Sequence, residues 1–92
     1  MDTSSFESAL LSDGFGSIET KQLPPAGRNT GHAHQFEVRA LVLEGQIALT
    51  FSGEERTYRK GEVFTMAAGC EHTEEVGAEG VRYLVGRRPV PA

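Results

Sequence analysis

The clearest hydrophobic pattern in the chain lies between residues 36 and 51. Residues 36–43 predict a strand with Phe36, Val38, Ala40 and Val42 on one face, because alternate residues of a strand point the same way. Glu44 and Gly45 predict a turn. Residues 46–51 then form a second strand, in which Ile47, Leu49 and Phe51 share a face. Ser52, Gly53 and Glu54 turn the chain into a hairpin partner at 55–58, and another exposed turn over 59–62 leads to a strand at 63–66. Beyond a loop at 67–72, residues 73–76 are weakly strand-like and 77–80 form a turn. Val81, Tyr83 and Val85 alternate with Arg82 and Leu84 in the last strand, and residues 87–92 read as a tail.

The N-terminal third is less regular. Ser4 as cap with Glu7 three positions later matches a capping box, and Phe6, Ala9 and Leu10 supply one apolar stripe of a short helix that Asp13 and Gly14 stop. One or two turns do not stand alone in water. The segment therefore packs on the main body or on a neighbouring subunit, or else is a tail with a few buried anchors. Residues 15–23 are strand-compatible, with Ile18 and Leu23 inward, and Pro24 and Pro25 end that strand because neither donates a ladder hydrogen bond. Residues 26–31 read as a loop suited to the mouth of a site.

Many short strands separated by glycine-containing turns predict an all-β fold, a small antiparallel sandwich or barrel with a short N-terminal helical segment. No segment after residue 14 is long enough for the crossover a parallel sheet needs. The 92 residues suggest one domain, residues 1–92. An incomplete antiparallel sheet exposes strand edges, so a homodimer is expected, with the segment through Leu23 as its candidate element.

Charge and cysteine content narrow the partners. A formal charge of -4 with acids and bases intermixed argues against nucleic acid, which calls for a basic face. Arg82, Arg87 and Arg88 read as ordinary solvated surface. No stretch reaches the roughly 20 apolar residues that cross a bilayer, and the first residues lack the basic region and apolar run of a signal peptide. Cys70, the single cysteine, forms no internal disulfide, so a cytoplasmic location is the simplest expectation.

Chemistry concentrates in the histidines. His32 and His34 lie two apart at a strand start and can share a face, while His72, the remaining histidine, sits in a second turn-rich stretch. Phe36, Val38, Ala40 and Val42 would wall a cavity beside them, and Phe51, Phe64 and Tyr83 would narrow it. Such a cavity suits a small, partly apolar ligand. Cys70 shares alternation with His72, so it either faces that pocket or is a small buried hydrophobe.

The histidine spacing resembles that of the cupin superfamily. The first cupin motif corresponds to Gly27, His32-Ala33-His34 and Gly45, with the gap after Gly27 one residue short. The second corresponds to Gly61, Ala67-Ala68-Gly69 and His72, with Ala67 in place of a proline and Val76 at the asparagine position. The resemblance implies a jelly-roll β-barrel in which His32, His34 and His72 bind one divalent transition metal, and cupins commonly dimerise. The family usually adds a carboxylate, but Val38 stands at that position. Glu37 is adjacent and of opposite parity. Either a bulge rotates it inward, or it pairs with Arg39, Arg82 or a partner subunit away from the metal.

Neutral imidazoles suit Zn, Fe, Ni, Mn or Cu better than magnesium or calcium. Three protein ligands with an open position form an arrangement used in catalysis. Cupins resembling this one include dioxygenases, isomerases and sugar-binding sensors, and a fold does not select a reaction. Glu71 and Glu74 fall at loop or edge positions, so no catalytic acid or base is identified. The expectation is a metal-binding protein that binds or transforms a small organic molecule, oxygenase-like chemistry included. The alternative is a non-catalytic ligand-binding or regulatory module with a metal-free histidine pocket.

Overall fold

The structure, a computed structural model, describes residues 2–25, 28–32 and 35–89, with 28–32 as backbone. Helix α1 (Thr3–Ser12) precedes six strands: β1 (Gly16–Leu23), β2 (Arg28–His32), β3 (Phe36–Phe51), β4 (Glu54–Arg59), β5 (Val63–Met66) and β6 (His72–Pro89). Every pairing is antiparallel. No helix among the described residues is long and apolar enough to cross a membrane.

Two long strands carry the architecture. β3 and β6 pair with each other along most of their length, and both cross from one layer of the fold to the other. In the first layer, β1 lies beside residues 81–87 of β6 and β5 beside residues 38–41 of β3. In the second, β2 lies beside residues 72–75 of β6 and β4 beside residues 46–51 of β3. The result is a β-sandwich. No pairing among the described residues closes the sheet into a barrel ring.

The crossing is set by local backbone chemistry. The β3–β6 register shifts between Val42 and Glu44 and again between Gly45 and Ile47. A bulge reverses which residues face inward. Val38, Ala40 and Val42 therefore share the interior with Ile47 and Leu49 of the same strand, although their parity differs. The turns expected at 44–45 and 77–80 are thus bends within two continuous strands, and the expected tail at 87–89 is the end of β6, paired with residues 36–38. Residues 28–31, expected as a loop, are also strand: their ladder to β6 is a tertiary pairing that carries no apolar alternation of its own.

Helix α1 covers the outer face of the first layer. Phe6, Leu10 and Phe15 pack with Leu41 and Leu84, while Ile18, Leu43 and Val63 rim the cluster. Ala40, Leu41 and Val42 are all at most 1% exposed because this part of β3 is covered on both faces, which explains its unbroken apolar run. Ile18 and Leu23, both expected inward, go to opposite clusters, because residues five apart on a strand point to opposite faces.

The helix starts earlier than expected. Asp2 is the cap, its Oδ1 accepting from Ser5 N at 2.7 Å while Ser5 Oγ donates to Oδ2 at 3.0 Å. At the other end Phe15 N donates to Leu10 O and Gly14 N to Leu11 O, with Gly14 at φ +86. This is the Schellman pattern, and the buried Phe15–Leu10 pair supplies its usual hydrophobic contact. Ala9 is exposed, so the stripe is Phe6 and Leu10 alone.

Candidate functional site

The first residues of β6 bring the polar chemistry into the interior. Residues 67–70 form a turn in which Cys70 N donates to Ala67 O, and His72 follows as the first residue of the strand. His72, Glu74 and Val76 alternate inward and are all buried. His72 is 2% exposed and Glu74 8%.

His72 is oriented by a carbonyl. Its Nδ1 lies 3.1 Å from Cys70 O. A carbonyl oxygen only accepts, so the contact places a proton on Nδ1. The other ring nitrogen, Nε2, faces Glu74 Oε2 at 3.7 Å. The Phe51 ring stands 5.9 Å from the imidazole, centroid to centroid, tilted by 39°.

Beyond Glu74 lies a cavity of about 140 Å³. Phe36, Val38, Phe64 and Met66 form much of its apolar wall; Tyr83 and Glu74 are polar members, with Lys21 and Arg87 also at its lining. The Phe64 and Tyr83 rings meet edge-on at 5.6 Å. Burial pushes the Tyr83 phenol up to about 12, and the negative charge of Glu74 adds to the shift. Tyr83 is therefore a neutral hydroxyl at physiological pH. His72 borders a separate open depression with Thr50, Ser52, Cys70 and Glu71.

The register of β2 places His32 directly opposite His72. The side chain of His32, and His34 as a whole, lie outside the described residues. Among the described residues, no group of three or more His, Cys, Asp or Glu side chains is placed to hold a metal ion. Phe64 and Tyr83 narrow the interior cavity as expected, whereas Phe51 contacts His72 instead. Cys70 is half-buried beside the open depression, so it is neither a core hydrophobe nor a lining residue of the interior cavity.

The carboxylates are arranged differently from the expectation. Glu37 stays on the face opposite Val38, and its partner is Arg88 rather than Arg39 or Arg82. Arg88 Nε donates to Oε1 at 3.2 Å and Nη2 to Oε2 at 2.7 Å. The Arg88 hydrogen bonds hold the Glu37 carboxyl below its usual range. Arg39 instead pairs with Asp13, and Arg82 with Glu44 at 2.8 Å. Arg39 and Arg88 also flank the Phe15 ring, 4.6 and 4.7 Å from its centroid. The terminal arginines thus fasten the surface together. Glu74, expected at a loop or edge, is the interior carboxylate. Its alternation with His72 was the available signal, obscured because residues 73–76 carry little hydrophobic pattern.

Residues 20–85 match the family model described as Cupin domain. Solved structures agree in fold. A protein of unknown function from Rhizobium leguminosarum is 25% identical with a TM-score of 0.75, covering 79% of this chain and 69% of its own. A cupin superfamily protein from Desulfitobacterium hafniense is 15% identical with a TM-score of 0.70, covering 79% and 66%. A variant of Bacillus subtilis oxalate decarboxylase is 18% identical with a TM-score of 0.67, but the match spans 78% of this chain and 20% of the enzyme. The chain thus spans about two thirds of the length of the first two and a fifth of the third. No curated protein matches it.

Proposed function

The chain belongs to the cupin domain family, and on that premise we propose that it holds one divalent transition ion through His32, His34 and His72 and binds or transforms a small organic molecule beside it. The observation that carries this reading is the buried His72, whose Nδ1 is bonded to the Cys70 carbonyl and whose strand position is opposed by His32. Metal-binding imidazoles characteristically donate their other N–H in this way, which fixes the tautomer and leaves the remaining nitrogen for the ion. Opposed positions of an antiparallel ladder lie on one face, so the β2–β6 register favours convergence of His32 and His72.

A neutral imidazole set fits Zn, Fe, Ni, Mn or Cu. Such an ion, when bound, supplies Lewis acidity and, for the redox-active members, electron transfer. The residues of the chain supply the rest. Val38, Phe64 and Met66 offer an apolar wall to the ligand, and Tyr83 offers a neutral hydrogen-bond donor within a cavity of about 140 Å³. That volume suits a ligand of a few heavy atoms.

The same reading includes a homodimer. Among the described residues β1 is paired along one edge, to β6, and a second copy laid along its other edge would cover the open ladder. Light scattering over a concentration series should return a dimer; a monomer throughout would contradict it. The metal reading is tested by calorimetric titration of cobalt(II) into chelator-treated protein, with saturation expected at one equivalent. Absence of binding would overturn it.

A further inference from the structure

We infer that Glu74 supplies the carboxylate of this interior centre, coordinating from β6 the same ion as His72; the inference rests on the proposed metal reading. The first support is placement. Glu74 Oε2 lies 3.7 Å from His72 Nε2, and the two residues alternate onto one buried face of β6. Two donors each about 2.1 Å from one tetrahedral ion lie about 3.4 Å apart, so the observed separation is close to that of neighbouring ligands.

The second support is the tautomer. With the His72 proton on Nδ1 toward Cys70 O, the lone pair of Nε2 faces a carboxylate oxygen. A cation held between that nitrogen and that oxygen would be met by a lone pair from each.

The third is charge. Three neutral imidazoles leave both charges of a buried divalent ion uncompensated, and one buried carboxylate halves that charge. Glu74 is placed to do this. Glu37 is not, since Arg88 engages both of its oxygens on the outer face, and Val38 presents only methyl groups to the cavity.

The test is zinc binding by the chelator-treated full chain, measured by competition with a chromophoric chelator. Glu74→Gln should weaken binding by at least about tenfold, while Glu37→Gln matches the parent. The ligand-field bands of bound cobalt(II) should also differ between parent and Glu74→Gln. Parent-like zinc affinity in folded Glu74→Gln would overturn the inference and leave the three-histidine reading standing. Weakened binding with unchanged cobalt bands would overturn the ligand assignment. A parent that binds neither metal would overturn both readings. If Glu74→Gln does not fold by circular dichroism, Glu74→Asp replaces it. That shortened carboxylate should also lose at least about tenfold in affinity, and parent-like binding would again overturn the inference.

Discussion

Gly45 of β3 and Gly80 of β6 meet backbone to backbone where the two long strands bend between layers: a Cβ on Gly45 would collide with the Gly80 carbonyl oxygen. Both residues hold positive φ, +74 and +78. Gly45→Ala should therefore combine left-handed strain with a clash against main chain, and destabilise the fold by at least about 2 kcal/mol. Gly53 has a similar φ of +82 but open space at its Cβ. Gly53→Ala should cost only the strain, about 1–2 kcal/mol. Urea denaturation of the two variants checks this; equal losses would show that the close approach is not limiting.

The helix is the second point of test. Leu10 is 0% exposed against Gly86 and Phe15, whereas its neighbour Leu11 is 61% exposed. Leu10→Ala should cost about 2–5 kcal/mol and Leu11→Ala no more than about 0.5 kcal/mol. Similar small effects at both positions would mean that α1 contributes little to stability.

The parts of this fold that sequence showed were those governed by local pattern. Strand positions such as Ile47, Leu49 and Phe51, the stop at Gly14 and the breaks at Pro24 and Pro25 follow from alternation and turn chemistry. What it concealed depends on tertiary contact. Gly45 and Gly80 read as turns because a glycine-rich break within a strand looks the same as one between strands. Residues 28–31 lack any apolar periodicity, so only their ladder to β6 reveals them as strand. His72 was legible as a candidate from its motif spacing, whereas the burial of Glu74 was not: a carboxylate in a polar-looking segment becomes interior only through the inward alternation of β6.

Glu37 and Arg88 give a pH-dependent contribution whose sign is fixed. The folded-state pKa of Glu37 lies below its ordinary 4.5, mainly through the Arg88 hydrogen bonds. Its stabilising contribution is then fully present above that ordinary value and is lost as pH falls through the depressed one. The stability difference between the parent and Glu37→Gln should be present at neutral pH and vanish in acid. A difference that grows on acidification would contradict the pairing.

Tyr83 should be the late-titrating tyrosine. Its pKa is raised to about 12 by burial and by the Glu74 charge. Ultraviolet titration of the folded protein should show tyrosinate absorbance at that pH which Tyr83→Phe removes. Glu74→Gln should move the same step to lower pH, since it takes away a charge that disfavours the phenolate. Because the folded-state pKa is raised from 10.0, the contribution of this phenol to stability is intact below pH 10 and lost as pH rises toward 12.

The proposed metal centre is tested most directly by elemental analysis of the parent beside His34→Ala and His72→Ala, each confirmed folded by circular dichroism. One equivalent of a divalent transition ion is expected in the parent after loading. Both variants should lose most of it under the same wash. Stoichiometric metal retained in both folded variants would contradict the centre built on His32, His34 and His72.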